Sequence, residues 1–142
     1  MELTAEQWRT FFTLASRHIR GTLRSEVSQW TEPSNEFYRK SYCAWTVRGR
    51  LGCDTHYWTA ELPKETELHE YGVLDGGEWG QPFRFDEIAH LIIPVEYTEE
   101  QYIDQKFTMW CHTQDIAGLS KLLDAASIPH KLHETFLELK LY

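Results

Sequence analysis

The sequence predicts an α+β fold: residues 1–142 form a single domain with a central, largely antiparallel sheet, an N-terminal helix and a C-terminal strand–helix–strand unit. Three observations carry this expectation. A capped stretch of helical period opens the chain, period-two alternation broken by Gly and Pro fills its middle, and a strand–helix–strand succession of periods closes it. The length of 142 residues suits one domain. No internal repeat or low-complexity segment interrupts it.

Thr4 and Gln7, in Thr-Ala-Glu-Gln, have capping-box spacing. Trp8, Phe11, Phe12, Ala15 and Ile19 follow at helical spacing, and Gly21 suits the C-terminal cap. A shorter helix is expected within 22–31, before Glu32-Pro33-Ser34-Asn35 breaks it. From Tyr42 to Glu61 the period changes to two. Cys43, Trp45 and Val47 share one face, Gly49-Arg50-Leu51-Gly52 reads as a turn, and Cys53, Thr55, Tyr57 and Thr59 alternate beyond it, as in a hairpin.

Residues 62–82 carry Pro63, Gly72, Gly76, Gly77, Gly80 and Pro82 among acids and read as an irregular excursion. Strand is expected again at Phe83–Phe85 and Ile88–Ile93, ending at Pro94. Phe107–His112 reads as a strand and Asp115 as the cap of a helix carrying Ile116, Leu119, Leu122 and Leu123. Leu137, Leu139 and Leu141 alternate with Phe136, Glu138 and Lys140 in a final strand.

The net charge of −8 is unevenly placed. Residues 1–60 hold eight basic and six acidic groups, residues 61–104 two and twelve, and residues 105–142 four of each. The excess therefore lies in one segment, which disfavours phosphate backbones there and suits a cationic partner. Tyr71, Trp79, Tyr97 and Tyr102 are interleaved with those acids. Rings amid charge are the usual anchors of protein interfaces, whereas a charge run alone is most often a solvated face. The candidate partner-binding residues are Glu65, Glu67, Glu70, Tyr71, Asp75, Glu78, Trp79, Tyr97, Glu99 and Glu100.

Catalytic and metal chemistry find less support. Cys53 and His56 have the spacing of half a zinc site, but an odd separation sends strand residues to opposite faces, and no second pair completes four ligands. Cys111 with His130 or His133 is a nucleophile–base pair only if the fold joins them; a buried, inert Cys111 is the simpler reading. His69-Glu70 and His133-Glu134 are expected from composition alone. Gly76-Gly77-Glu78-Trp79-Gly80 lacks the Lys-Ser/Thr of a phosphate loop. No catalytic residue, metal or cofactor is assigned.

The opening Met-Glu-Leu-Thr-Ala-Glu lacks the basic and apolar regions of a signal peptide, and no segment approaches the roughly 18 apolar residues of a membrane span. Three cysteines argue against a disulfide framework. The expected location is the cytoplasm, without membrane contact.

In its short leaderless chain, its acidic Glu61–Asp104 segment with Trp and Tyr, and its lack of a catalytic motif, the chain resembles the small acidic immunity proteins of bacterial toxin systems. The resemblance implies an inhibitor that covers the cationic cleft of a cognate toxin domain, often a basic nuclease. Two rivals stand beside it: a small enzyme using Cys and His residues, and an acidic module that binds its own copies.

Overall fold

The computed structural model describes residues 2–27, 39–52, 55–74, 81–103 and 105–142. Helix α1 spans Ala5–Thr22. Thr4 caps it as its sequence requires: the Thr4 hydroxyl accepts the Gln7 N–H at 3.1 Å and the Gln7 side chain accepts the Thr4 N–H at 2.9 Å. The helix runs past Gly21 and is capped at Leu23. Trp8, Phe11, Phe12, Ala15 and Ile19 are buried along one face.

The chain then forms strand β1 (Arg24–Val27), so the short second helix expected here is replaced by strand; residues 28–31 lie outside the described residues. Leu23, Val27 and Trp30 stand at helical spacing in the sequence, but pairing with a distant strand decides the state of Arg24–Val27. Strands β2 (Cys43–Val47) and β3 (Trp58–Ala60) pair antiparallel, with Trp45 opposite Trp58. This is the expected hairpin with a longer connection than its Gly-containing turn suggested. Arg48–Arg50 form a 3-10 turn and Gly52 takes a positive φ of 87°, a region glycine enters without strain.

Within the excursion, β4 (Gly72–Leu74) and β5 (Pro82–Arg84) form a small hairpin of their own. A Cβ on Gly72 would collide with the Phe83 carbonyl, so this close approach requires glycine. Strand β6 (Ile88–Pro94) continues through Val95 into β7 (Glu96–Ile103), which turns back into β8 (Lys106–Thr113). Helix α2 (Ile116–Ala125), β9 (Lys131–Leu132) and β10 (Phe136–Lys140) complete the fold.

The central sheet has the order β3-β2-β6-β10-β9 and all its pairings are antiparallel. A second sheet has the order β1-β8-β7. The α+β class stands as expected, but the strands flanking α2 belong to different sheets, so that unit links two layers. The inner face of the central sheet, with Trp45, Leu91, Ile93, Leu137 and Leu139, meets both helices in one core. Trp8 stacks on Phe12 and Phe85, Phe12 meets Trp45 edge-on, and Phe83 lies between Trp45 and Trp58.

Gln114 holds the two sheets together. It is fully buried, accepts the Tyr42 N–H at 2.8 Å, and donates to the Tyr42 and Pro94 carbonyls at 3.1 and 2.8 Å. Its own N–H donates to the Val95 carbonyl at 2.7 Å, and the Val95 N–H to Thr135 at 2.8 Å. Replacing Gln114 by Leu strands three backbone groups in a dry interior. The expected cost is about 3 kcal/mol, read as a lower denaturation midpoint in urea. A loss below about 0.5 kcal/mol would show that the clasp is dispensable.

Candidate functional site

The folded chain divides the acidic segment into acids that serve the structure and acids that face outward. Several are matched to the basic N-terminal part of the chain. Arg17 on α1 pairs with Glu65. Arg20 lies 3.7 Å from Glu61 and donates to the Leu62 carbonyl at 2.8 Å, while Glu61 also accepts the Lys40 N–H at 2.6 Å. Glu67 accepts the Lys64 N–H at 3.0 Å within its own 3-10 turn. Arg9 donates to the backbone carbonyl of Glu70, whose side chain is exposed. Arg84 pairs with Asp86 at 2.6 Å.

Strand β7 splits the remaining candidates by parity, because successive strand residues face opposite ways. Tyr97, Glu99 and Gln101 turn inward. Tyr97 is only 8% exposed; its hydroxyl donates to the Arg39 carbonyl at 2.7 Å, and its ring stacks on Tyr42 and His112. Burial, then the nearby Glu99 and Glu61 charges, push that phenol far above its usual range, so it stays a hydrogen-bond donor. Glu99 accepts the Arg39 N–H at 2.7 Å. Neither residue presents itself to a partner. Both are among the candidate partner-binding residues, and the structure places them on the inward side of the strand, Tyr97 buried and Glu99 partly buried.

Glu100 does face outward, with Glu96, Thr98 and Tyr102. Cross-strand pairing sets Tyr102 beside Phe107, Glu100 beside Met109, Thr98 beside Cys111 and Glu96 beside Thr113. On the other flank Glu26 lies opposite Cys111 and Arg24 opposite Thr113. Among the described residues, the outer face of this sheet thus carries three carboxylates, Glu26, Glu96 and Glu100, against one cation, Arg24. Tyr102, 78% exposed, tilts against Phe107 at a centroid distance of 5.7 Å.

Tyr71, 68% exposed, and Glu70 lie apart from this sheet, at the β4–β5 hairpin. Asp75, Glu78 and Trp79 lie outside the described residues. Glu26 sits far from the acidic segment in sequence, and only sheet pairing brings it to this face; Phe107 follows just beyond the segment's end. The alternation Glu96-x-Thr98-x-Glu100-x-Tyr102 was the available signal for the outer row.

Two imidazole networks are the candidates for chemistry. In the first, the acceptor-only Glu99 carboxylate lies 3.1 Å from His112 Nε2, and Ser25 Oγ lies 2.7 Å from His112 Nδ1. With Nε2 protonated toward the carboxylate, Nδ1 accepts the Ser25 hydroxyl proton. The order is that of a nucleophile, base and orienting acid. The ring, however, is fully buried against Tyr97. Burial, with Lys40 adding to it, holds His112 down to about 4. So weak a base draws little on a serine proton.

The second network lies on the central sheet's other face. Tyr57 donates to His90 Nδ1 at 2.7 Å, and Glu138 accepts from His90 Nε2 at 2.7 Å and from His133 Nε2 at 2.8 Å. Burial raises the Glu138 carboxyl, but the bonds from His133 and His90 outweigh it and hold it below its ordinary value. Burial, with the Tyr142 and Glu138 charges, raises Tyr57, so the phenol keeps its proton. Each polar atom is answered by the next. The network satisfies a polar strip between β6 and β10.

The thiol pairings do not form. His130 bonds Ser120 at 2.7 Å and the Ile128 carbonyl at 2.8 Å, and His133 bonds Glu138. Cys111 is exposed rather than buried, on the sheet face opposite His112. Burial pushes the Cys43 thiol far above its ordinary range, so it is no nucleophile. Cys53 lies outside the described residues, and among the described residues no group of three or more His, Cys, Asp or Glu is arranged to hold a metal. No helix among them is long and apolar enough to cross a membrane.

No protein-family model matches the chain, and neither a curated protein nor a solved structure shows significant similarity to it.

The buried His112 sets a pH dependence. An unfolded imidazole takes up its proton near pH 6.5, whereas the native one stays neutral to about pH 4. Between these values protons favour the unfolded chain, so stability falls as the pH drops through that window. Urea unfolding at pH 7 and pH 5 tests this against His112→Gln: the native protein should lose more stability than the variant between the two conditions. Equal losses would contradict a depressed His112.

Proposed function

We propose that the chain is an acidic protein-binding inhibitor that docks on a cationic partner and covers its working cleft, as an immunity protein covers its toxin. The observation that supports this best is the outer face of the β1-β8-β7 sheet, where Glu100 adjoins the exposed Tyr102 and its neighbour Phe107, and Glu96 and Glu26 lie farther along the same face. Carboxylates speed and orient the approach of a cationic surface, and a desolvated aromatic pair supplies retention. A cognate bacterial toxin domain, basic because it handles nucleic acid, has the matching chemistry. Inhibition is by occlusion: carboxylates pair with the Lys or Arg that would hold substrate phosphate. The inhibitor then needs no cofactor, membrane or nucleic acid of its own, and its free thiols Cys43 and Cys111 suit the cytoplasm.

The test is affinity capture from the source cell with the native chain, the double variant Glu96→Lys/Glu100→Lys, and Tyr102→Ala. The native chain should retain one basic protein in about one-to-one ratio and inhibit its activity. Charge reversal should slow association and flatten its salt dependence. Tyr102→Ala should weaken the complex by about 2 kcal/mol, chiefly through faster dissociation. A captured partner held equally by all three chains would place the interface elsewhere and overturn this reading.

A further inference from the structure

We infer that the groove at the β4–β5 hairpin is a receptor for one arginine side chain of the partner; the inference rests on the partner-binding reading and names a second point of contact. The groove has a volume of about 600 Å³. Tyr71 and Pro82 form its exposed apolar walls, the buried Val73 and Phe83 close it beneath, and Glu70 and Glu87 stand at its rim. An apolar trough with an acidic rim fits a side chain with an alkyl stem and a cationic head.

Arginine fits it better than lysine. Its flat guanidinium stacks on an aromatic face while its N–H fork reaches carboxylates, and the exposed Tyr71 ring offers that face. The cations already present do not fill the role. Arg84 lines the groove but its guanidinium is tied to Asp86 at 2.6 Å, and Arg9 is held by the Glu70 backbone carbonyl. Among the described residues that line the groove, the two carboxylates of Glu70 and Glu87 stand against the single guanidinium of Arg84. Among the described residues the Glu87 carboxylate takes one long bond of 3.4 Å from the Arg84 N–H, so an incoming guanidinium meets a carboxylate with bonding capacity to spare.

The experiment titrates N-acetyl-arginine amide into the full-length protein and follows backbone amide resonances. N-acetyl-citrulline amide, the same shape without the charge, and N-acetyl-lysine amide are run in parallel. The arginine probe should give saturable shifts centred on Tyr71, Gly72, Phe83 and Glu87. Citrulline should give none, and lysine should bind several-fold more weakly. Glu70→Gln and Tyr71→Leu, both at exposed positions, should each reduce the arginine shifts at least threefold at equal probe concentration.

Shifts spread evenly over every acidic surface, or equal binding of citrulline, would overturn the proposal. So would unchanged binding in both variants. If the groove takes the probe while capture of a basic partner fails, the inhibitor reading falls and the groove stands. If a captured partner is held equally well by Glu70→Gln and Tyr71→Leu, the groove falls and the inhibitor reading stands.

Discussion

One run of chain, from Ile88 to Ile103, serves both sheets, and the buried Gln114 amide fixes the point at which it passes from one to the other. Before Val95 the strand is part of the core, with Ile88, Ala89, Leu91 and Ile93 all buried. After it the strand belongs to a sheet whose outer face is acidic and whose inner face is polar. The clasp bonds backbone groups at Tyr42, Pro94 and Val95, where the chain passes between the two sheets. The acidic face depends on that handover, because without it β7 would have to bury its carboxylates against the aromatic core.

The same geometry explains how so acidic a segment is tolerated. A local excess of carboxylates repels itself. Here Arg17, Arg20 and the Lys40 N–H from the basic N-terminal part of the chain answer Glu65 and Glu61, and Arg39 answers Glu99 through its backbone. The Arg17–Glu65 pair is well exposed and adds little to stability; its effect is to lower local charge. On the β1-β8-β7 sheet, what faces outward among the described residues, Glu26, Glu96 and Glu100 with Tyr102, is a smaller and more ordered set than the linear sequence implies.

Much of the fold is legible where local physics decides it. Thr4 with Gln7 and Asp115 with the Gly118 N–H are caps that work within one turn, and the Leu137–Leu139–Leu141 alternation has one apolar side and one polar. Strands β1 and β7 were not legible. In β7 the buried row is Tyr97, Glu99 and Gln101, polar because the surface beneath Tyr97 and Glu99 is the Arg39 backbone rather than apolar side chains. A strand polar on both faces carries no hydrophobic period. For the same reason the sequence grouped Glu99 with Glu100, which parity separates, and could not join Ser25 or Glu26 to β8, across more than eighty residues of chain.

The central claim is that the outer β1-β8-β7 face is where a cationic partner sits. The most direct measurement replaces Tyr102 with a photo-crosslinking phenylalanine analogue in the source cell, with Lys121 on the exposed side of α2 replaced as control. The account predicts one ultraviolet-dependent adduct at position 102, to a single basic protein, weakened by Glu96→Lys/Glu100→Lys and absent at position 121. No adduct at 102 while the same protein is captured, or identical adducts from both positions, would contradict it.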